Sequence, residues 1–309
     1  MTQPFTRRPA GAAGEVAPEG AARILETGYR PYTGARMGPS HAVWTLARHT
    51  FERIMGLRRP ARYKVLPVLT VAIAYLPAIA FIGATALIPR GRLGRFVPDP
   101  GAYFPFVTAA LALFATLAAP EALCPDKRSR FLGIYLASPL TRSTYLLAKV
   151  SAVATAILWV TMGPPLLLLT GEALQNAGPR GFGAFMQTLG QTVAAGAALA
   201  VIFTAFSLVI PSLTDRRAFA SAGGILLIIG TAAISNVFAF GLRLGDGWLL
   251  LGLERLPFEV TLRIFDRHGL PTPSGTPLST AAVVGAASAA TLLAAFIAWR
   301  RVVHAEVTR

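Results

Sequence analysis

Residues 185–210 read FMQTLGQTVAAGAALAVIFTAFSLVI, an apolar stretch without a single charged side chain. A helix needs about 20 apolar residues to cross the hydrocarbon core of a bilayer, so this stretch is long enough to do so. Five other stretches share its length and character. The sequence therefore predicts an all-α, polytopic membrane protein whose six transmembrane helices lie at about 65–88, 102–120, 150–170, 185–210, 218–241 and 280–299.

The composition excludes several other classes of protein. Of the 309 residues, 54% are hydrophobic and only 14% are charged, whereas soluble domains carry roughly a quarter charged residues. The apolar excess also excludes a disordered chain. A net charge of +15 is typical of nucleic-acid binders, but their charge forms a continuous basic face. Here the charges lie in short clusters between apolar runs, so we expect contact with membrane lipid and no nucleic-acid partner.

The distribution of Lys and Arg predicts the orientation of the chain. With the N-terminus inside, 21 basic residues fall on cytoplasmic segments and 8 on external ones. Cytoplasmic loops carry the excess of positive charge in membrane proteins. We therefore expect a multi-pass membrane protein with both termini in the cytoplasm. Arg outnumbers Lys, and Ala and Gly are frequent, which is typical of proteins from GC-rich bacterial genomes. The membrane is therefore expected to be a bacterial plasma membrane.

Four further segments flank or interrupt the predicted membrane domain, 65–300. Residues 1–38 and 301–309 read as cytoplasmic tails, the first of them mobile. Residues 39–64 begin with apolar side chains on one half of a helical circumference, which predicts an amphipathic helix on the inner membrane surface; a juxtamembrane linker is the alternative. The external loop 242–279 contains apolar residues at spacings that fit either a strand or a helix.

The most informative segment lies between the second and third predicted spans. Residues 126–149 read DKRSRFLGIYLASPLTRSTYLLAK. Pro139 disfavours a helical conformation at the preceding residue, and Thr141 is a suitable N-cap for a new helix. The pattern predicts a short cytoplasmic helix within 126–141, a sharp turn, and a helix that runs on into the third span.

This segment resembles the membrane subunits of ABC exporters, the permeases with six spans per half. The amphipathic N-terminal helix and the long external loop before the last span are also similar to that family. The resemblance covers about residues 40–300, and its specific part is the 126–149 motif. The positions that match the family pattern are Asp126, Arg128, Pro139, Leu140, Arg142 and Lys149.

The resemblance implies that 126–141 is a coupling helix, which seats in a groove of a separate ATPase subunit. It also implies a dimer, formed with a second copy of the chain or with a related permease. In the family, the external loop folds back towards the membrane as short helices. The residues implied to form the ATPase-coupling interface are Asp126, Lys127, Arg128, Arg130, Tyr135, Pro139, Leu140 and Arg142.

The chain itself has no nucleotide-binding motif. The P-loop pattern Gly-x-x-x-x-Gly-Lys-Ser/Thr does not occur, and none of the three lysines follows a glycine. We therefore expect a non-catalytic permease that binds no cofactor or metal, with ATP and Mg²⁺ held by the partner subunit. Catalytic residues are not expected, since the four histidines are well separated and lie outside the spans.

Polar residues within the spans leave alternatives open. Four of these residues could either line a transport pathway or form hydrogen bonds between helices: Gln187, Gln191, Ser235 and Asn236. Glu121 is interpreted as a solvated or Arg-paired residue at a helix end, and a proton relay is the alternative. The scarcity of buried charge favours an exporter of an apolar or amphipathic substrate. An ATP-independent secondary transporter or channel is the main alternative, followed by a non-transporting assembly partner and a membrane-embedded enzyme.

Overall fold

The computed structural model describes residues 34, 37–87, 98–129, 140–267 and 269–304. Within these ranges 80% of the structure is helical and no strand occurs. We number the α-helices in chain order: α1 Pro39–Ile54, α2 Val65–Leu87, α3 Pro100–Leu117, α4 Pro120–Arg128, α5 Arg142–Leu174, α6 Phe182–Leu213, α7 Arg217–Asn236, α8 Arg255–Ile264 and α9 Thr280–Val303. Short 3₁₀ turns at Ala61–Tyr63 and Asp246–Leu251 and a π-turn at Val237–Gly241 complete the set.

Six helical stretches are long and apolar enough to cross a membrane: Val65–Leu87, Pro100–Arg128, Arg142–Leu174, Phe182–Leu213, Arg217–Gly241 and Thr280–Val303. Each contains one predicted span or nearly all of it. For the described residues, the prediction of an all-helical chain with six helices long and apolar enough to span a membrane is therefore confirmed, which is the architecture of a multi-pass membrane protein. The second stretch is longer than expected because α4 continues α3 after a short break at residues 118–119.

Local sequence explains where several helices begin. The Asp99 carboxylate accepts a hydrogen bond from the Ala102 amide, and Pro100 occupies the first turn of α3, where a missing N–H costs nothing. Thr141 caps α5 as predicted, and Thr144 reciprocates in a capping box. The Ser279 hydroxyl caps α9 by accepting a hydrogen bond from the Ala282 amide.

The N-terminal helix is shorter than the predicted segment 39–64. α1 ends at Ile54, and Gly56 adopts a left-handed conformation with φ of 66°. A side chain there would collide with the Tyr63 carbonyl, so the chain turns at this glycine. α1 buries Leu46, Thr50 and Ile54 and packs on α5 and α4. Its position on a membrane surface stays a prediction.

The core of the bundle is formed by α3, α5 and α6. The apolar windows of the second, third and fourth spans are more than half buried, whereas those of α2 and α9 are 22% buried and that of α7 is 11% buried. α5 packs against α1, α2, α3 and α6, and α9 packs on α6. α2, α7 and α9 thus present most of their apolar surface outward.

Small residues allow the central helices to approach closely. A Cβ atom on Gly196 of α6 would lie 2.6 Å from the Met162 Cγ of α5. On Gly163 of α5 it would overlap the Tyr75 hydroxyl, which donates to the Trp159 carbonyl at 2.8 Å. Small residues at helix interfaces are typical of membrane proteins, and here they serve packing within one chain.

The loop predicted to be external, 242–279, contains a helix; its sequence was compatible with either a strand or a helix. α8 buries Leu256, Pro257, Glu259 and Thr261 and packs against α6, α9 and α3. Ahead of α8, the Leu253 amide donates to the Thr231 hydroxyl of α7 at 3.4 Å. Because Thr231 lies ten residues before the end of Arg217–Gly241, the segment before α8 reaches back along this span.

Candidate functional site: the buried charges beside the predicted coupling segment

The principal charged site joins α1, α4 and α5 at one end of the bundle. We call it the Asp126 cluster, and it comprises Thr50, Arg53, Asp126, Tyr145 and Lys149. Asp126 Oδ1 lies 2.8 Å from Arg53 Nη1, and Oδ2 lies 2.5 Å from Lys149 Nζ. The Tyr145 hydroxyl donates to Oδ2 at 3.0 Å, and Lys149 Nζ donates to Thr50 Oγ1 at 3.0 Å.

Burial makes the pairing within the Asp126 cluster important. The side chains of Asp126 and Lys149 are each 1% exposed, and that of Arg53 is 19% exposed. Removing an ion from water costs several kcal/mol unless a partner compensates it. The three charges therefore constrain one another, and they hold α1 and α5 against α4. Arg53 adds a second link to α4, because its Nη2 donates to the Ala122 carbonyl at 3.1 Å.

A second ion group lies around Glu121 of α4, five residues before Asp126. Arg59 Nη1 is 3.4 Å from Glu121 Oε2, and Arg217 of α7 pairs with Oε1 of the same carboxylate. Glu121 thus has two arginine partners, as the Arg-paired interpretation predicted, and it is buried rather than solvated. The chain between α1 and α2 is thereby attached to α4 and α7.

The predicted ATPase-coupling residues divide into three groups. Asp126, Lys127 and Arg142 are bound within the chain: Lys127 Nζ donates to the carbonyls of Pro211 and Ser212 at 3.0 and 2.5 Å, and Arg142 Nη1 donates to the Val303 carbonyl at 2.6 Å. Leu140 is buried and Arg128 is exposed. The remaining three, Arg130, Tyr135 and Pro139, lie outside the described residues, as does most of the predicted helix.

The geometry gives these residues two different roles. Lys127 and Arg142 occupy the carbonyl-rich C-terminal ends of α6 and α9, where cations are favoured. They join the ends of α4 and α5 to other spans, and their role in ATPase coupling stays a prediction. Arg128 is the described, exposed cation next to the segment 130–139.

The four polar span residues are dispersed. Gln187 and Asn236 are exposed. Gln191 donates to Asp266 Oδ2 at 3.3 Å, beside the end of α8. Ser235 is buried, and its hydroxyl donates to the Ala232 carbonyl of its own helix at 2.9 Å. The roles of these residues in a pathway stay predictions.

The opposite end of the bundle contains a charged group that the sequence reasoning did not identify. We call Arg255, Glu259 and Arg263 of α8 the Glu259 cluster. Glu259 Oε1 lies 3.1 Å from Arg255 Nη2, and Oε2 pairs with Arg263. Glu259 is 1% exposed and also accepts the Leu270 amide at 3.1 Å.

Sequence signals existed for parts of both clusters. The i, i+4 spacing on both sides of Glu259 is a recognisable helix pattern, but it required α8 to be identified as a helix. Lys149 is one of only three lysines and stands inside an apolar run, which is a signal for a buried partner. Nothing in the sequence indicated that Arg53, 73 residues before Asp126, completes that pair.

Among the described residues no group of three or more His, Cys, Asp or Glu side chains is placed to hold a metal ion. Compared with known protein families and with curated proteins, the chain matches none.

Proposed function

We propose that this chain is the membrane-spanning subunit of an ATP-driven exporter of the ABC class. It moves an apolar or amphipathic substrate outward across a bacterial plasma membrane and works with a separate ATPase subunit, which holds ATP and Mg²⁺. The chain itself is a non-catalytic permease with both termini in the cytoplasm. It forms a dimer with a second copy or with a related permease, in keeping with the prevalence of two-fold symmetry.

The observation that carries this proposal is the way in which the two ends of the predicted coupling segment are fixed. Asp126 at the end of α4 pairs with Lys149 near the start of α5 at 2.5 Å. α4 and α5 are therefore joined on both sides of residues 130–139. A partner that displaces this segment would move two spans together, which is the requirement for a rigid-body switch.

Charge placement supports the proposed orientation. The Asp126 cluster, the Arg59–Glu121–Arg217 group and the Arg142–Val303 contact lie at one end of the bundle. These contacts bring together residues from the cytoplasmic segments that contain 21 of the 29 Lys and Arg residues. An excess of positive charge at one end is typical of the cytoplasmic side.

The test is purification of the chain from its native membrane in mild detergent, with identification of co-purifying proteins by mass spectrometry. We expect a stoichiometric ATPase subunit. Two substitutions should release it: Arg128→Glu, which inverts an exposed charge next to the segment, and Pro139→Leu, which removes the predicted break. Arg300→Glu is the matched control, since it makes the same charge change at an exposed position on the same end of the bundle.

The outcomes separate the candidate functions. Loss of the ATPase with Arg128→Glu and its retention with Arg300→Glu would support the exporter. Recovery of the chain without any nucleotide-binding partner in several detergents would contradict the proposal and favour the ATP-independent transporter or channel. Equal loss with both variants would show that general charge, rather than the 126–141 segment, determines the association.

A further inference from the structure

A polar cavity lies between α1, the connection from α1 to α2, and α5. Its volume is about 320 Å³, within the range of ligand-binding pockets. Four cations contribute to its lining: Arg53 of α1, Arg58 and Arg59 of the connection, and Lys149 of α5. Glu52 is the one carboxylate among the described lining residues. The cavity is therefore strongly basic.

Ion pairs within the described residues do not neutralise the surroundings of this cavity. The network of ion pairs around it joins three carboxylates, Glu52, Glu121 and Asp126, to six cations. The six are Arg48, Arg53, Arg58, Arg59, Lys149 and Arg217. The sequence supplies no carboxylate between residues 53 and 98. An excess of three positive charges therefore remains in the network.

The two arginines of the connection still have hydrogen-bond donors to offer. A guanidinium presents five N–H donors. The Arg58 side chain is 71% exposed, and within the described chain its polar contact is a single one, Nη1 at 3.5 Å from Glu52 Oε2. The Arg59 side chain is 32% exposed and uses Nη1 for Glu121, so Nη2 and Nε stay without a bond to any described residue. The cavity thus lacks acceptors, not donors.

An unusual backbone conformation places these arginines at the cavity. Arg58 has φ of 57° and Gly56 has φ of 66°, both in the left-handed region. That region is uncommon for a residue with a side chain. The two residues turn the chain after α1, and Arg58 and Arg59 then line the same cavity as Arg53. Non-glycine residues held in this conformation are concentrated at ligand-binding and catalytic sites.

The chemistry of the lining matches a phosphate group. Guanidinium groups bind phosphate oxygens through paired, charge-assisted hydrogen bonds, and a lysine adds a compact positive charge. Lys149 supplies that charge at the α5 wall, where it is bound to Asp126 and Thr50. A dianionic or monoanionic phosphate would reduce the positive excess, whereas a cationic guest would increase it.

The position of the cavity favours a lipid as the source of the phosphate. α2, the first span, begins at Val65, six residues after Arg59. Large apolar side chains near the cavity are exposed: Trp44, Leu57, Val65 and Val68. Aromatic and basic side chains at the ends of spans lie at the level of the lipid headgroups. A phosphate that reaches the cavity at this level is attached to acyl chains, which the exposed apolar side chains would contact.

The geometry points to a binding site for the phosphate headgroup of an anionic phospholipid, with Arg58 and Arg59 bound to its oxygens. Basic pockets beside the ends of membrane helices bind such headgroups. A bound lipid joins the connection to α1 and α5, and it thereby stabilises the contact of α1 with the Asp126 cluster. This inference goes beyond the proposed exporter function and does not depend on an ATPase.

The test is thermal unfolding of the purified full-length chain in a neutral detergent with increasing amounts of lipid. A ligand that binds the folded state raises the thermal midpoint in proportion to its occupancy. The probes are dioleoylphosphatidylglycerol, which is anionic, and dioleoylphosphatidylcholine, which has the same acyl chains and no net charge. We expect the anionic lipid to reach its half-maximal effect at a concentration at least about fivefold lower.

Three substitutions locate the site. Arg58→Gln should raise the half-maximal concentration of the anionic lipid about fivefold, with a lipid-free midpoint within about 2 °C of the natural value. Glu52→Gln removes the carboxylate of the lining and should lower that concentration about fivefold. Opposite shifts from two neighbouring positions do not arise from general damage to the fold. Arg62→Gln is the matched control: this exposed arginine of the same connection does not line the cavity, and its effect should stay below about twofold.

The contrary outcomes are equally specific. Equal half-maximal concentrations for the two lipids, or a loss with Arg62→Gln as large as that with Arg58→Gln, would overturn the proposal in favour of general attraction to basic residues. Tighter binding that fails to appear with Glu52→Gln would also contradict it. Glycerol 3-phosphate provides the same phosphate without acyl chains. If it raises the midpoint at the same concentration as the anionic lipid, the cavity takes a soluble anion and the lipid assignment is wrong. Each of these failures leaves the exporter proposal standing.

Discussion

Asp126 and Glu259, at opposite ends of the bundle, are each buried between two cations, but the two arrangements differ. Asp126 pairs with Arg53 on α1 and Lys149 on α5, which are 73 residues before it and 23 residues after it. Glu259 pairs with Arg255 and Arg263, which lie four residues before and after it on the same helix. The first arrangement joins three helices, and the second is local.

The difference indicates what each cluster stabilises. The Asp126 cluster fixes the N-terminal helix and both ends of the predicted coupling segment to the bundle. In the Glu259 cluster, Arg255 and Arg263 reach the carbonyls of Leu270, Pro271 and Leu278. That cluster therefore determines the path of the chain from α8 to α9. The buried Asp126 therefore stabilises the packing of several helices. The buried Glu259 instead stabilises the conformation of the chain between α8 and α9.

The largest effect is expected for Asp126→Ala. It leaves Arg53 and Lys149 close together without their shared anion, and breaking a buried ion pair in this way costs about 3–5 kcal/mol. We expect a lower thermal midpoint and a smaller monodisperse fraction in size-exclusion chromatography of the detergent-solubilised chain. Asp215→Ala, at an exposed acidic position on the same end, is the control and should behave as the natural chain.

A second substitution tests whether charge is the cause. Adding Lys149→Met to Asp126→Ala removes one of the two stranded cations, so it should restore part of the lost thermal stability. A double variant that is no more stable than Asp126→Ala alone would show that packing, and not the uncompensated charge of Lys149, accounts for the loss.

A smaller and more local effect is expected for Glu259→Gln. The substitution removes the negative charge that pairs with Arg255 and Arg263. The loss of a charged partner by a buried group lowers the free energy of unfolding by about 1–3 kcal/mol. Hydrogen–deuterium exchange should rise in residues 269–279 while α3 and α5 stay protected. Equal loss of protection in α3 and α5 would mean that the Glu259 cluster is as global as the Asp126 cluster.

Gly163→Ala separates helix packing from charge. The added methyl group overlaps the Tyr75 hydroxyl, so Tyr75 must move and lose its bond to the Trp159 carbonyl. Overpacking of this kind costs about 1–3 kcal/mol, to be measured as a lower thermal midpoint. Gly190→Ala is the control, since a Cβ atom there meets no neighbour within 4 Å. Equal midpoints for the two variants would contradict close packing of α2 on α5.

The smallest effect is expected for Arg128→Glu. Its side chain is exposed, and surface substitutions away from special contacts change stability little. The thermal midpoint should stay within about 2 °C of the natural value. A larger shift would mean that loss of the ATPase in this variant reflects a damaged fold and not a lost contact.

Much of the fold was predictable because hydrophobic length is a strong signal. The uncharged run at 185–210 predicted the core of α6, and Thr141 predicted the start of α5. The apolar span predicted at 150–170 is shorter than α5, which covers Arg142–Leu174, because the thickness of the bilayer limits the length of the apolar run and not the length of the helix. Gly56, rather than the change of composition near residue 64, ends the amphipathic segment.

The charged sites were less predictable because they depend on contacts between distant segments. Asp126 was recognised as part of a motif, and its resemblance to a coupling segment implied a partner-facing role. In the structure its carboxylate is paired with Arg53 and Lys149, and its role at a partner interface stays a prediction. The sequence likewise gave no signal that the segment before α8 contacts α7, where the Leu253 amide donates to the Thr231 hydroxyl. The spacing of apolar residues along a helix does not show which side chains tens of residues apart in the sequence come into contact.

Site-directed cross-linking tests the central claim most directly. In a chain with Cys124→Ala, a cysteine at Ser129, which is exposed at the end of α4, is treated with a short bifunctional reagent in native membranes. Phe182→Cys, exposed at the opposite end of the bundle, is the control. The proposed function predicts a cross-link from position 129, but not from position 182, to a protein that carries a nucleotide-binding motif. The absence of any such product from position 129 in membranes that retain transport would contradict it.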